Sequence, residues 1–462
     1  MLQNRMTAAP DSTPAPATGS FLDSIAVYLR PRVLIVMFLG FASGLPLALS
    51  GSTLQVWSAT SGVDLKTIGF FTLVGTPYTL KFLWAPIVDA IDVPFLSRLL
   101  GRRRGWLVFS QLLLMATIVF LAFLDPAISP WHVAFGALLV ATASATQDIV
   151  IDAFRVESLD KSEQAAGMAS YVAAYRIGML ASTVGVLYLV ALFELFGFAA
   201  TAAWSLSFIG MAVLVLIGIA TTIAATEPQQ SAVAEAAHAG EKNSVMRVAQ
   251  AAYHAFADFL TRDAAIVVLL FVVFYKFCDA FAGAMTAAFV IKIGFTVVDY
   301  ANIVKGVGLA ATLIGGFAGG AMAARYSMVT CLWAGALLQM ASNLAFAWLA
   351  VVGANHWALV VAIIAENFTG AIGTVIFVAY LSALCQSPLH TATQFALLTA
   401  LAAVGRTYLS AGAGVVAEAV GWPMFFVVSS LVAIPSLLLL TWLQQRGHFA
   451  TLGPKRVVVP AD

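Results

Sequence analysis

The chain has 462 residues, of which 61% are hydrophobic and only 10% are charged. A soluble domain with this balance could not cover itself with polar surface, so the composition indicates an integral membrane protein. The net charge of +1 excludes the basic footprint of a nucleic-acid-binding protein, and the three cysteines are too widely spaced for a disulfide framework or a metal site.

Twelve apolar runs are predicted to form helices that cross the membrane. They follow a tail rich in Ala, Pro, Ser and Thr. The runs cover residues 33–56, 66–88, 105–124, 131–153, 165–190, 198–225, 264–291, 298–323, 328–352, 356–384, 393–418 and 422–444. Each is long enough to cross about 30 Å of hydrocarbon. We therefore expect an all-α membrane protein with twelve transmembrane helices. Its predicted parts are an N-terminal tail (1–32), two six-helix bundles (33–225 and 264–445), a polar connector between them (226–263) and a C-terminal tail (446–462).

The distribution of cations predicts the orientation in the membrane. If the N-terminus lies inside, the cytoplasmic segments hold 16 Lys and Arg residues, whereas the outward loops hold two, Lys66 and Lys292. This asymmetry fits the positive-inside rule. It predicts that both termini and the connector are cytoplasmic.

A weak internal repeat relates the two predicted bundles. Arg176 follows Gln164 by twelve residues in the fifth run, and Arg406 follows Gln394 by twelve residues in the eleventh. Parallel six-helix halves that face each other across a central cavity are the architecture of the major facilitator fold. Together with the long middle connector, the repeat predicts that architecture here.

Three ionisable side chains share one face of the fourth predicted helix. Asp148, Asp152 and Arg155 are spaced i, i+4, i+7. A charge that faces lipid costs about 2.5–3.5 kcal/mol even on the mildest insertion scales, so this face is expected to line a protein interior or a wet cavity. A carboxylic acid in apolar surroundings holds its proton more readily, so the deeper Asp148 is the predicted proton carrier. Asp152 either shares that role or pairs with basic residues as a gate.

A basic loop between the second and third runs is the other part of the predicted gate. It resembles a loosely spaced form of the signature loop of facilitators, in which an aspartate and basic residues latch the cytoplasmic side. The predicted gate residues are Asp89, Arg102, Arg103, Arg104 and Arg155. The alternative is that the cluster only fixes the topology.

Five cations and four acids lie inside the predicted helices. The cations are Lys81, Arg176, Lys276, Lys305 and Arg406, and the acids are Asp148, Asp152, Asp279 and Glu366. Arginine binds carboxylates bidentately, so Arg176 and Arg406 are predicted to bind the carboxylates of a substrate. The alternative is that they form structural ion pairs with Asp148 or Glu366. Lys276 and Asp279, at i, i+3, either neutralise each other or contact substrate. Lys305 has no local acid and needs a distant partner or a ligand. Such a cavity suits a large anionic, polyhydroxylated solute, and Lys81 and Glu366 are also predicted to contact it.

No sequence motif of a hydrolase or a nucleotide-binding site is present, so we expect a transporter driven by an ion gradient, without enzymatic activity, cofactor or catalytic residues. Several motifs resemble the AmpG muropeptide permease family. They are FASGLPLAL (41–49), KFLWAP (81–86), SATQDIVIDA (144–153), YRIGML (175–180), the Glu366-Asn367 pair and ATQFALL (392–398). The likeness extends over residues 30–445.

The resemblance implies a proton symporter of the major facilitator superfamily in the bacterial inner membrane. Its implied substrates are N-acetylglucosaminyl-1,6-anhydro-N-acetylmuramyl peptides, taken up for peptidoglycan recycling and indirectly feeding β-lactamase induction. Gln147 and Asn367 are then expected to contact sugar hydroxyls, and Arg176, Arg406 or Lys305 the peptide carboxylates. We expect a monomer whose partners are protons, this solute and the lipid bilayer, with no nucleic acid and no metal. Two alternatives stay open, an importer of a siderophore or another anionic solute, and a membrane receptor or transferase without transport.

Overall fold

A computed structural model of the protein describes residues 27–160, 163–228, 264–384 and 391–452. Within these ranges every regular element is a helix. We number twelve long segments α1 to α12. They are α1 (Pro31–Thr60), α2 (65–90), α3 (Arg102–Ala122), α4 (Pro130–Ser158), α5 (164–195), α6 (Ala200–Ala224), α7 (Ala265–Lys292), α8 (297–325), α9 (Met328–Val352), α10 (His356–Leu384), α11 (391–420) and α12 (Trp422–Gln445). Most of the predicted tails and connector (1–26, 229–263 and 453–462) lies outside the described residues.

Eleven of the segments are helices long and apolar enough to cross a membrane, counted over the described part of the chain. The exception is α2. The prediction of a membrane-crossing segment at 66–88 has the right range but misses its shape. In α2 the α-helical turns Leu65–Phe70, Thr76–Leu80 and Ala85–Ala90 alternate with 3-10 turns. Proline has no N–H to donate, and Pro77 and Pro86 each stand in the first turn of a new α-helical stretch. The backbone of α2 is therefore broken rather than a single α-helix.

Cations mark one end of the molecule, which we call the basic end. It carries Arg32, Arg103, Arg155, Arg325 and Arg446. The turns at 61–64, 125–129, 293–296 and 353–355 form the opposite end. α1 and α5 pack along each other, as do α3 and α4 in the first half of the chain and α8 and α10 in the second. The helices thus form two groups, α1 to α6 and α7 to α12.

The two groups meet mainly towards the opposite end. There α2 packs on α11, the last turns of α1 pack on α7, and α5 packs on α8. Tyr188 of α5 donates a 2.6 Å hydrogen bond to Asn302 of α8. Thr72 of α2 donates to the carbonyl oxygen of Thr407 in α11 at 3.2 Å. The groups therefore touch at this end, and two cavities lie between them further towards the basic end.

Candidate functional site

Two adjoining cavities lie between the helix groups. The inner one, of about 270 Å³, is lined by side chains of α1, α5, α7, α8 and α10. The outer one, of about 680 Å³, extends along α8 and α10 towards the basic end, where Phe317 on its wall is 83% exposed. Arg176, Glu366 and Asn367 line both. Charged side chains from the two groups of helices therefore face a shared space.

Three π-helical turns stand at the closed end of the inner cavity. They are Leu49–Thr53 in α1, Ala181–Gly185 in α5 and Tyr300–Val307 in α8. The hydroxyl of Thr53 donates to the carbonyl oxygen of Ser182 at 2.8 Å, which joins the first two turns. A π turn interrupts the regular i→i−4 bonding, and such turns are frequent at functional sites. The residues that they supply to the cavity are Ser52, Thr183, Tyr300, Val304 and Lys305.

Lys305 and Glu366 lie in the part of the inner cavity formed by α8 and α10. The two side chains interact electrostatically, so Glu366 is the distant acid that the sequence required for Lys305. The ammonium of Lys305 also lies 5.6 Å from the centre of the Tyr300 ring, within the range of a cation–π contact. Asn367 accepts a 3.2 Å hydrogen bond from Thr312. An anion that enters this space meets a lysine that already has an acidic neighbour.

Lys276 and Asp279 form an ion pair of 2.7 Å at the start of the second half of α7. The ammonium of Lys276 also donates to the Gln339 side chain and to the carbonyl oxygen of Gly370, each at 3.3 Å. Asp279 lines the outer cavity, whereas Lys276 is not among its lining residues. The pair thus ties α7 to α9 and α10, and it leaves one carboxylate facing the cavity.

Asp148 lies in a separate polar cluster between α1, α4 and α5. Ser43 of α1 donates a 2.5 Å hydrogen bond to its carboxylate, and the Ser43 and Tyr171 hydroxyls are 2.9 Å apart. Lys81 of α2 and Asp152 interact with Asp148 electrostatically. Asp148 therefore faces the protein interior rather than lipid, as its helix face predicted.

Asp152 lies between two cations at the basic side of Asp148. It is 3.9 Å from the ammonium of Lys81 and 3.5 Å from the guanidinium of Arg155, and half of its side chain is exposed. Arg155 also contacts the sulfur of Met168. The two roles predicted for Asp152, proton carrier and gate, both stay predictions.

Four predicted substrate contacts, Lys81, Gln147, Lys276 and Arg406, line neither of the two cavities. Gln147 is completely buried, and its amide has no hydrogen-bond partner among the described residues. Arg406 is exposed on α11, and both Arg406 and Arg176 interact electrostatically with Tyr175. A joint grip of the two arginines on a substrate stays a prediction.

The predicted gate arginines make contacts inside the first group of helices. Arg103 pairs with Glu157 at 2.6 Å, and Arg104 donates to the carbonyl oxygens of Thr222 and Ile223 at the end of α6. Arg102 begins α3, and the side chain of Asp89 lies outside the described residues. These contacts brace the start of α3 against α4 and α6, and a gating role is a prediction that they leave open.

Sequence reasoning missed several residues that shape these sites. Glu227 accepts hydrogen bonds from the backbone N–H groups of Arg103 and Arg104 and so caps the start of α3. Ser43 and Tyr171 were missed as well, since each meets its partner on a distant helix, and Tyr300 was missed because its contact with Lys305 lies in a π-helical turn. The one available signal was the position of Ser43 inside the motif at 41–49.

Comparison with known proteins places the chain in a family. A family model described as the Major Facilitator Superfamily matches residues 36–407. The chain is 39% identical over 417 residues to the "Anhydromuropeptide permease" of Escherichia coli (strain K12), which covers 90% of this chain and 80% of that protein. It is 34% identical over 415 residues to the "Putative transporter AmpG 4" of Rickettsia felis, which covers 90% of this chain and 97% of the relative.

Solved structures of other transporters share the fold at low sequence identity. A POT family transporter in complex with a thioalcohol-conjugated peptide superimposes with a TM-score of 0.64 at 11% identity, over 89% of this chain and 96% of that one. A bacterial homolog of the human lysosomal transporter Spinster gives a TM-score of 0.59 at 15% identity, over 94% and 97%. The chain is a multi-pass membrane protein and a transporter rather than an enzyme. It belongs to the major facilitator superfamily and, within it, to the AmpG permease family.

Proposed function

We propose that this protein imports anhydromuropeptides across the bacterial inner membrane together with protons, for peptidoglycan recycling. The observation that carries the proposal is the shared cavity, in which Arg176 of the first helix group and Glu366 of the second face the same space. The 39% identity to a permease named for this substrate supports the choice of solute. The solute has hydroxyls and carboxylates, and the cavity offers Asn367 for the former and Arg176 and Lys305 for the latter.

Proton coupling is assigned to Asp148. Its carboxylate lies inside the protein and accepts a hydrogen bond from Ser43. It also interacts electrostatically with Lys81 and Asp152. Its protonation would remove a charge from the contact of α1, α4 and α5, and would so bias the two arrangements of an alternating-access cycle. The basic end is assigned to the cytoplasm by the positive-inside rule, so the cavity in this structure opens inward.

Uptake of labelled N-acetylglucosaminyl-1,6-anhydro-N-acetylmuramic acid and its peptides into proteoliposomes tests the function. We expect the labelled substrate to accumulate only when a proton gradient directed into the proteoliposomes is present. Accumulation that does not depend on the gradient would refute the coupling. Competition by ferric chelates but not by muropeptides would identify a siderophore importer instead.

The Asp148→Asn variant tests the assignment of the proton site. This substitution keeps the size of the side chain and its ability to accept from Ser43, but it removes the titratable group. We expect the variant to exchange substrate across the membrane and to lose concentrative uptake. A variant that still concentrates substrate would remove Asp148 from the role.

A further inference from the structure

Asp148 is one end of a chain of hydroxyl groups that crosses from α4 through α1 to α5. Ser43 donates to its carboxylate at 2.5 Å, and the Ser43 oxygen lies 2.9 Å from the hydroxyl of Tyr171. Ser43 is only 1% exposed, so its hydroxyl is shielded from bulk solvent. The function proposed above uses Asp148 and gives no task to Ser43 or Tyr171.

The far end of this chain lies beside a wet, charged region at the basic end. The guanidinium of Arg155 lies 5.5 Å from the centre of the Tyr171 ring and 3.5 Å from the Asp152 carboxylate. Half of the Asp152 side chain is exposed. Tyr171 itself is partly exposed and interacts electrostatically with Asp152, so its side chain borders a region that water reaches.

The packing of α1 on α5 fixes the distance between the two hydroxyls. A Cβ atom added to Gly40 would lie 2.5 Å from the carbonyl oxygen of Tyr171, and one added to Gly44 would overlap the backbone of Tyr175. Gly178 meets the backbone of Phe41 as closely from the other side. Only glycine permits this approach of the two backbones, and the approach brings Ser43 within hydrogen-bond distance of Tyr171.

Charged or titratable groups from α2, α4 and α5 surround Asp148. They are Lys81 and Tyr78 from α2, Asp152 from α4, and Tyr171 and Tyr175 from α5. Among the described residues, Ser43 is the one that forms a hydrogen bond with the Asp148 carboxylate. Asp148 itself is partly exposed, and among the described side chains the hydrogen-bonded route from its carboxylate begins at Ser43.

We propose that Ser43 and Tyr171 relay the coupling proton between Asp148 and water at the basic end, an inference that rests on the proton-coupled function proposed above. On release, the protonated Asp148 gives its proton to the Ser43 oxygen while Ser43 gives its own to Tyr171, and Tyr171 gives its own to a water molecule beside Asp152. Each O–H bond that breaks is matched by one that forms. Asp148 ends as a carboxylate, water as hydronium, and both hydroxyls are restored.

Two transport assays on the full-length protein in proteoliposomes separate the relay from a structural role. Net uptake driven by a pH gradient requires Asp148 to gain and lose its proton in every cycle, whereas equilibrium exchange of substrate at equal pH does not. We expect Tyr171→Phe and Ser43→Ala to reduce gradient-driven uptake by about 100-fold, which is the low end of the effect of losing a positioned proton-transfer group. We expect both variants to change the rate of equilibrium exchange less than about twofold. Phenylalanine keeps the ring beneath Arg155, and alanine fits the space of Ser43.

The matched control is Tyr175→Phe. Tyr175 stacks on Tyr171 with 6.1 Å between ring centres and lies near Asp148, but no hydrogen bond to Ser43 is seen for it in the described part of the chain. This variant should retain both activities. If Tyr171→Phe couples as well as the wild type, or if it loses both activities in parallel, the relay is refuted while the proposed function stands. If the wild type itself shows no gradient-driven uptake, the proposed function fails and the relay with it.

Discussion

Glu163 stands just before α5 with a side chain that is only 5% exposed. The guanidinium of Arg30 donates a 2.9 Å hydrogen bond to its carboxylate and holds the pKa of Glu163 below its ordinary value. A carboxyl group whose pKa is lowered by folding stabilises the folded state above the pKa of the unfolded chain. That contribution disappears as the pH falls through the folded-state pKa. The pair therefore fastens the start of α1 to the start of α5 at neutral pH and releases it in acid.

Replacing Glu163 by Gln should lower the free energy of unfolding at pH 7 by about 1 kcal/mol, the upper end for such a pair, since Arg30 is half-exposed and water screens it. The difference from the wild type should shrink as the pH falls below the ordinary value of 4.5. Thermal unfolding of the detergent-solubilised protein at pH 7 and in acid measures both quantities. Asp160→Asn is the control, because Asp160 is 67% exposed in its pair with Arg32 and should contribute little. A loss of stability in the Glu163 variant that did not vary with pH would contradict this account.

Pairs of residues within one helix could be predicted from the sequence, and pairs across helices could not. The i, i+3 spacing of Lys276 and Asp279 indicated their ion pair, since one helix turn fixes the distance between them. Ser43 and Asp148 are 105 positions apart, and their contact depends on how α1 and α4 pack. The same holds for Glu366 as the partner of Lys305. The charges of the site were thus visible in the sequence, while the hydroxyls that connect them were not.

At the scale of helices, two glycine motifs that look alike in sequence have different surroundings. Gly40 and Gly44 face the α5 backbone at distances that admit no Cβ atom. Gly316 and Gly320 of α8, with the same spacing, have open space where a Cβ would stand. In α8 it is the neighbouring Gly315 that meets the backbone of α10. The spacing of glycines alone therefore does not tell which face of a helix is packed.

The Gly44→Ala substitution should destabilise the protein by about 1–3 kcal/mol, the usual cost of overpacking, because α1 and α5 must move apart. Gly320→Ala is the matched control and should change the stability little, since its new methyl group meets no atom within 4 Å. Thermal unfolding of both variants under the same conditions compares them. Equal losses of stability at the two positions would show that the α1–α5 approach is not the cause.

The sequence predicted where the helices begin and end better than it predicted whether they are regular. The runs predicted at 328–352 and 356–384 coincide with α9 and α10, because the turn between them contains Gly353 with a φ of 82°, a conformation that glycine adopts readily. The π turns of α1, α5 and α8 had no counterpart in the apolar pattern. Thr53 of the first turn bonds the backbone of the second, so such turns depend on neighbouring helices that a local pattern does not encode.

At the scale of the whole molecule, the closed end depends on a contact between α2 and α11. A Cβ atom added to Gly69 would lie 2.8 Å from the backbone nitrogen of Gly414, and one added to Gly414 would overlap the backbone of Leu65. Thr407, buried beside this contact, accepts from Thr72 through its carbonyl oxygen and lies 3.4 Å from the hydroxyl of Thr79. The conformation seen here, closed at the opposite end, thus requires that α2 and α11 touch without side chains between them.

A tryptophan at position 414 should therefore prevent closure at the opposite end and favour the state that opens there. We expect Thr407→Cys, reported by a membrane-impermeant maleimide applied from that side, to react about tenfold faster when combined with Gly414→Trp, which corresponds to a shift of about 1.4 kcal/mol between the two states. Gly412→Trp places the same side chain two residues earlier, where a Cβ meets nothing within 4 Å, and should leave the labelling rate unchanged. Because a transporter held in one state cannot complete its cycle, substrate uptake should fall in the Gly414 variant alone. Labelling that rises equally in both tryptophan variants would mean that the α2–α11 contact does not control access to the cavity.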